Sequence, residues 1–114
     1  MKNEVKALKA LGDETRLRIA YLLMKNGDLC VCEIEDALKM KQSSISKALK
    51  VLKEADVIQD NRKAQWKYYS LKNAADNPGF RIMRTLVEKI EKSGTAKQDI
   101  KNLKICLKQT CKRR

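Results

Sequence analysis

The sequence predicts a mainly α-helical fold carrying one β-hairpin, and three observations lead there. Apolar residues recur at helical spacing along most of the 114 residues, and there is one proline and only four glycines to interrupt them. Residues 57–61 and 65–71 are strand-like runs instead, the second alternating with a period of two. The stretch 29–52 holds two short apolar-periodic segments, with Ile34, Ala37 and Leu38 in the first and Ile45, Leu49 and Leu52 in the second, joined by the polar link Met40-Lys41-Gln42-Ser43-Ser44. Two short helices around a tight polar turn, followed by a two-stranded ribbon, read as a winged helix-turn-helix.

Val5, Leu8 and Leu11, with Ala7 and Ala10 beside them, predict a short amphipathic helix over 3–11. Gly12-Asp13 breaks it, and Asp13 or Thr15 can cap the next helix. That helix, 14–25, carries Leu17, Ile19, Ala20, Leu22, Leu23 and Met24; being apolar on most sides, it should form the buried centre. Asn26-Gly27-Asp28 ends it, with Gly27 suited to a left-handed position. The helix-turn-helix then runs to about Ala55, with Cys30-Val31-Cys32 at the very start of its first helix. Residues 57–61 and 65–71 predict two strands around Arg62-Lys63-Ala64. Their tip lacks a Gly or an Asn-Gly pair, which predicts a longer, mobile loop. Phe80, Met83, Leu86, Val87 and Ile90 predict a helix over 80–90, after a turn around Pro78. Beyond Ser93-Gly94-Thr95 a thinner amphipathic segment carries Ile100, Leu103, Ile105 and Leu107, with Cys106 and Cys111, and ends in Lys112-Arg113-Arg114. The division expected is a domain over 1–93 and a basic, cysteine-containing helix or tail over 94–114.

Composition narrows the function. A net charge of +12 and a pI near 9.7 draw the chain to polyanions, for which nucleic acid is the usual partner of a compact basic domain. A membrane surface fits less well, because no helix joins a bulky aromatic face to a lysine face. No run approaches the ~20 apolar residues of a membrane span. The first residues carry charges where a secretion signal is apolar, so a cytoplasmic location, with reduced thiols, is expected. There is no histidine, which removes histidine catalysis, His-rich zinc sites and histidine pH sensing together. No Gly-rich phosphate loop is present either, and an enzyme is not expected.

Two sets of residues carry candidate chemistry. With Ile45 and Leu49 turned inward, Ser43, Ser44, Ser46 and Lys47 share the exposed side of the second helix. Gln42 can pair with adenine, serines with several base edges, and Lys47 with guanine or phosphate. Arg62, Lys63 and Lys67 on the wing would follow the adjacent backbone or minor groove, setting affinity and salt dependence and not sequence. Trp66 and Tyr68 fit packing better than base stacking. The second set is the four cysteines. Thiolates without imidazoles select soft, thiophilic ions. Two cysteines two apart on a regular helix point about 200° apart, so Cys30 and Cys32 could share one ion only if the turn unwinds. The alternatives are small buried thiols, a structural zinc on all four cysteines, and an oxidation sensor.

Four segments resemble the ArsR-type winged-helix repressors: Leu11-Gly12-Asp13-Glu14-Thr15-Arg16-Leu17-Arg18-Ile19, Leu29-Cys30-Val31-Cys32-Glu33-Ile34, the run from Gln42 to Leu49 continued by Leu52-Lys53-Glu54-Ala55, and Trp66-Lys67-Tyr68-Tyr69-Ser70-Leu71. The second is similar to that family's metal-binding box, and the similarity runs over about residues 5–90. The resemblance implies a homodimeric repressor on near-palindromic double-stranded operator DNA, released by an inducer, with helices 3–11 and 79–92 building the dimer interface. Two departures stand out. Glu35 occupies the position of a third thiolate, and the histidine-containing interhelical site of other members cannot form. Arsenic(III) or antimony(III) favours three thiolates, so the expected site is Cys30 and Cys32 with Cys106, Cys111 or both. Cadmium(II) or lead(II), which accept three or four thiolates, and redox or sulfur-species sensing are the alternatives. A constitutive basic DNA-binding protein would leave Cys30 and Cys32 unexplained.

Overall fold

A computed structural model describes residues 1–73 and 75–109. In chain order the elements are α1 (Lys2–Leu11), α2 (Glu14–Asn26), β1 (Leu29–Cys30), α3 (Val31–Leu38), α4 (Gln42–Glu54), β2 (Ile58–Lys63), β3 (Trp66–Leu71), α5 (Pro78–Glu91) and α6 (Gly94–Gln109). This is the mainly helical winged helix-turn-helix that the apolar spacing predicts.

α2 forms the centre, with Ile19, Ala20, Tyr21, Leu22 and Leu23 all buried. Asp13 starts it by accepting the Arg16 backbone N–H at 3.0 Å, which satisfies one of the first-turn donors. Gly27 ends it at φ 88°, ψ −143°, a conformation closed to side-chain-bearing residues and not the left-handed one expected. α3 and α4 pack beneath α2 through Ile34, Ala37 and Leu38 and through Ile45, Ala48, Leu49 and Leu52. Gly79 lies near the start of α5 because the chain passes close to Val57 there; a Cβ would sit 3.0 Å from a Val57 methyl carbon. No helix among the described residues is long and apolar enough to cross a membrane.

The wing corrects one expectation. β2 and β3 pair in register from Ile58↔Leu71 to Lys63↔Trp66, leaving a tight two-residue turn at Ala64-Gln65 in place of a longer loop. Ala64 takes φ 56°, so the turn has the positive φ that matches hairpin twist without the glycine that usually supplies it. The sheet also gains a strand the periodicity does not reveal. β1, only two residues long, pairs with β3 through Leu29↔Tyr69 and Cys30↔Tyr68, giving the order β1-β3-β2.

α6 packs against α3. Its buried face is Ala96, Asp99, Leu103 and Cys106, whereas Ile105, counted with the apolar face in the sequence, is 48% exposed. Ser93 caps α6 by accepting the Ala96 N–H at 3.1 Å. Asp99 is buried and takes a two-pronged pair of bonds, each 2.9 Å, from Arg18 of α2. Arg18 also donates to the Leu38 carbonyl at 3.4 Å, and Asn102 donates to the Ala37 carbonyl at 2.9 Å. These are two of the last α3 carbonyls, which have no partner within their own helix. α2 and α6 together therefore cap the C-terminus of α3, where the chain turns through Lys39 (φ 57°) into α4.

Candidate functional site

α4 presents Gln42, Ser43, Ser46 and Lys47 exposed and Ser44 half-buried, all in its first two turns. Its N-cap, Lys41, has no side-chain oxygen, and no side chain caps the helix. The first-turn N–H groups of α4 are thus open to an anion, at the positive end of the helix dipole. Sequence reasoning missed this, although a lysine at an N-cap position is the signal for it. On the wing, Arg62, Lys63 and Lys67 are exposed. Lys63 lies 5.4 Å over the Tyr68 ring and 3.5 Å from Asp28, and Lys67 is 3.9 Å from Asp60. Asp60 is bound more closely by Lys53 at 2.7 Å, a hydrogen bond that holds its carboxyl below the ordinary aspartate range, and the Arg62 charge adds to that lowering. Tyr68 is buried and Trp66 half-buried, so both pack.

The thiols occupy three different environments. Cys30 is not on the helix. It is the second residue of β1 and the N-cap of α3, in extended conformation, and is 4% exposed. Glu33 Oε1 accepts the Cys30 N–H at 3.0 Å, and the Cys30 sulfur faces the Glu33 N–H in return. Burial, reinforced by the Glu33 carboxylate, pushes the Cys30 thiol up from its usual range, against the pull of that N–H. Cys30 and Cys32 therefore do not diverge by 200° on one helix, as two residues of a regular turn would; what keeps Cys30 from an ion is that it is occupied in starting α3. Cys32 is half-buried in the first turn. Cys106 is buried, and its thiol donates to Asp36 Oδ2 at 3.2 Å. Asp36 lies four residues after Cys32, on the same face of α3. Cys106 is therefore not free on a mobile tail but seated against the helix that carries Cys32. Cys111 lies outside the described residues. Among the described residues no three Cys, Asp or Glu side chains converge in ion-holding geometry.

Residues 13–60 match the family model for bacterial regulatory proteins of the arsR family. The chain is 48% identical over 63 residues to the arsenic resistance transcriptional regulator ArsR1 of Pseudomonas putida, covering 55% of this chain and 49% of that one. It thus spans about half the length of that relative. It is 38% identical over 81 residues to the transcriptional repressor SdpR of Bacillus subtilis, covering 71% of this chain and 89% of the repressor. The crystal structure of the transcriptional repressor PagR of Bacillus anthracis superposes with a TM-score of 0.67 at 29% identity, covering 75% and 93% of the two chains. On the family match over the helix-turn-helix and the 81-residue similarity to SdpR, the chain belongs to the ArsR family of regulatory proteins.

Proposed function

We propose that the protein is a homodimeric transcriptional repressor that releases operator DNA when a soft ion, arsenic(III) or antimony(III) before cadmium(II) or lead(II), is bound by cysteine thiolates. The observation that supports the ion-sensing part is the seat of Cys106 on α3, with its sulfur 3.2 Å from Asp36, a residue one helical turn after Cys32. A third thiolate comes from Cys30, with Cys111 as a further candidate ligand.

The consequence lies in what Cys30 must give up. To serve as a ligand it must lose its proton, leave a buried position and stop capping α3. Losing a cap costs about 1 kcal/mol, and the buried Glu33 carboxylate then loses the Cys30 N–H as partner. The first turn of α3 is where that loss falls, and α3 positions α4. The ion shifts the equilibrium only by its difference in affinity between the two α3 conformations. A change of a few kcal/mol, the size of such a rearrangement, is enough for a hundredfold loss of operator affinity.

DNA reading is assigned to Gln42, Ser43, Ser44, Ser46 and Lys47 in the major groove, with Arg62, Lys63 and Lys67 on phosphate. For the dimer, support comes from the apolar residues left uncovered on α1 and α5: Val5, Leu86 and above all Leu8, which is 57% exposed. Two copies joined there would set their α4 helices roughly 34 Å apart on a near-palindrome.

The test is selection of an operator from a random duplex pool, then fluorescence anisotropy of the complex with arsenite, antimonite, cadmium or peroxide added in turn. Release by arsenite or antimonite is the result expected. Release by peroxide alone would replace the ion reading with a redox one.

A further inference from the structure

α6 carries a row of positive charge that neither the DNA-reading surface nor the thiol site uses. Lys97, Lys101, Lys104 and Lys108 are all exposed and fall at steps of four, three and four residues. At 100° per residue they lie within an arc of about 60°, roughly opposite the face packed on α3, and span about 16 Å along the helix. The only carboxylate on α6 is Asp99, which is buried on the other face and bound by Arg18. No ion pair among the described residues involves any of these four lysines. Four uncompensated like charges in one row repel one another, a cost that a polyanion with regularly spaced charges would relieve.

The position of α6 indicates which polyanion. As α6 advances from Asp99 to Cys106, its partners step back along α3, from the Arg18 bridge at Leu38 through Ala37 to Asp36. All three contacts fall within the last turn of α3, so α6 crosses α3 at the end that leads through Lys39 into α4, the DNA-reading helix of the proposal above. A membrane surface suits this face poorly, since the one exposed large apolar side chain among the described residues of α6 is Ile105.

We infer that the α6 lysine row is a second DNA surface, holding the phosphate backbone of duplex that flanks the operator core. The inference rests on the DNA-binding reading above. It implies that the protein covers more DNA than α4 and the wing reach, with affinity gained without base sequence.

The experiment compares the full chain with a Lys97→Gln, Lys101→Gln, Lys104→Gln, Lys108→Gln variant and a fourfold Lys→Arg control, each checked by circular dichroism and thermal unfolding. Binding is measured to the selected core duplex and to the same core with ten added base pairs of mixed sequence on each side. The native chain and the Arg control should bind the extended duplex more tightly than the core. The Gln variant should bind the core nearly as the native chain does and lose the gain from the flanks. On the extended duplex its log-affinity against log-salt slope should fall by about 3–4 per protomer. An equal gain from the flanks in native and Gln proteins would overturn the inference. So would lysine-dependent binding to vesicles of anionic lipid with no change on DNA. If the native chain bound no core duplex, the DNA reading itself would fall, and this surface with it.

Discussion

Cys30 and Cys106 are both cysteines that burial makes slow to react, while Cys32 is half-buried. Thiolate character and access control alkylation, so iodoacetamide should label Cys32 several-fold faster than Cys30 in the folded protein, read by peptide mass spectrometry. Equal rates would mean that Cys30 is not held at the α3 cap. The raised Cys30 thiol also links to stability. A group whose folded value lies above its unfolded one gives stability that is full below the unfolded value, about 8.5 for a thiol, and is lost as pH rises through the folded value. Urea midpoints should therefore fall from about pH 8 upward, and Cys30→Ser should flatten that decline. The sequence made Cys30 and Cys32 conspicuous as candidates. It did not show that a helix boundary separates them, because one residue of extended chain and one of helix leave no trace in apolar spacing. Nor did it show Glu33 as the partner in the cap: a carboxylate three residues after a cysteine resembles a capping box only once the boundary is known.

At the level of elements, the helices with strong periodicity, α2, α4 and α5, were legible in the sequence, and the partner of α6 was not. Its buried face includes Asp99, and a carboxylate between Ala96 and Leu103 at core spacing signals a buried cation partner, but not where in the chain that cation lies. Burial of Leu103, worth roughly 2 kcal/mol, drives the docking. The Arg18–Asp99 pair, 22% and 3% exposed at its side chains, fixes the register. Asp99→Ala should cost about 2–4 kcal/mol by leaving Arg18 unpaired against α3. Hydrogen exchange should then speed up in α6 and at the end of α3 while α2 stays protected; unchanged protection would mean the pair does not hold α6. The wing turn allows the opposite change. Ala64 pays for its positive φ where glycine would not, so Ala64→Gly should raise stability by up to about 1 kcal/mol in chemical denaturation. The expectation of a long loop failed because turn length follows strand register, and register became visible only in the pairing of Lys63 with Trp66.

For the whole molecule, charge and the motif order gave the class of protein directly, since a net charge of +12 and four segments in sequence are properties of the entire chain. What they did not give is the seat of Cys106 on α3, which depends on α6 folding back over that helix. The uncovered apolar residues of α1 and α5 belong to this scale as well. Leu8→Glu should leave the fold intact, because the side chain is exposed, and shift the protein from dimer to monomer by analytical ultracentrifugation; a persisting dimer would place the interface elsewhere. The measurement that bears most directly on the coupling of thiols to DNA is operator release by arsenite, followed by anisotropy, in the native chain and in Cys30→Ser, Cys32→Ser and Cys106→Ser proteins. Release in the native chain, with at least tenfold more arsenite needed in each variant, is the predicted result. Native-like release from a protein lacking Cys32 and Cys106 together would contradict the account.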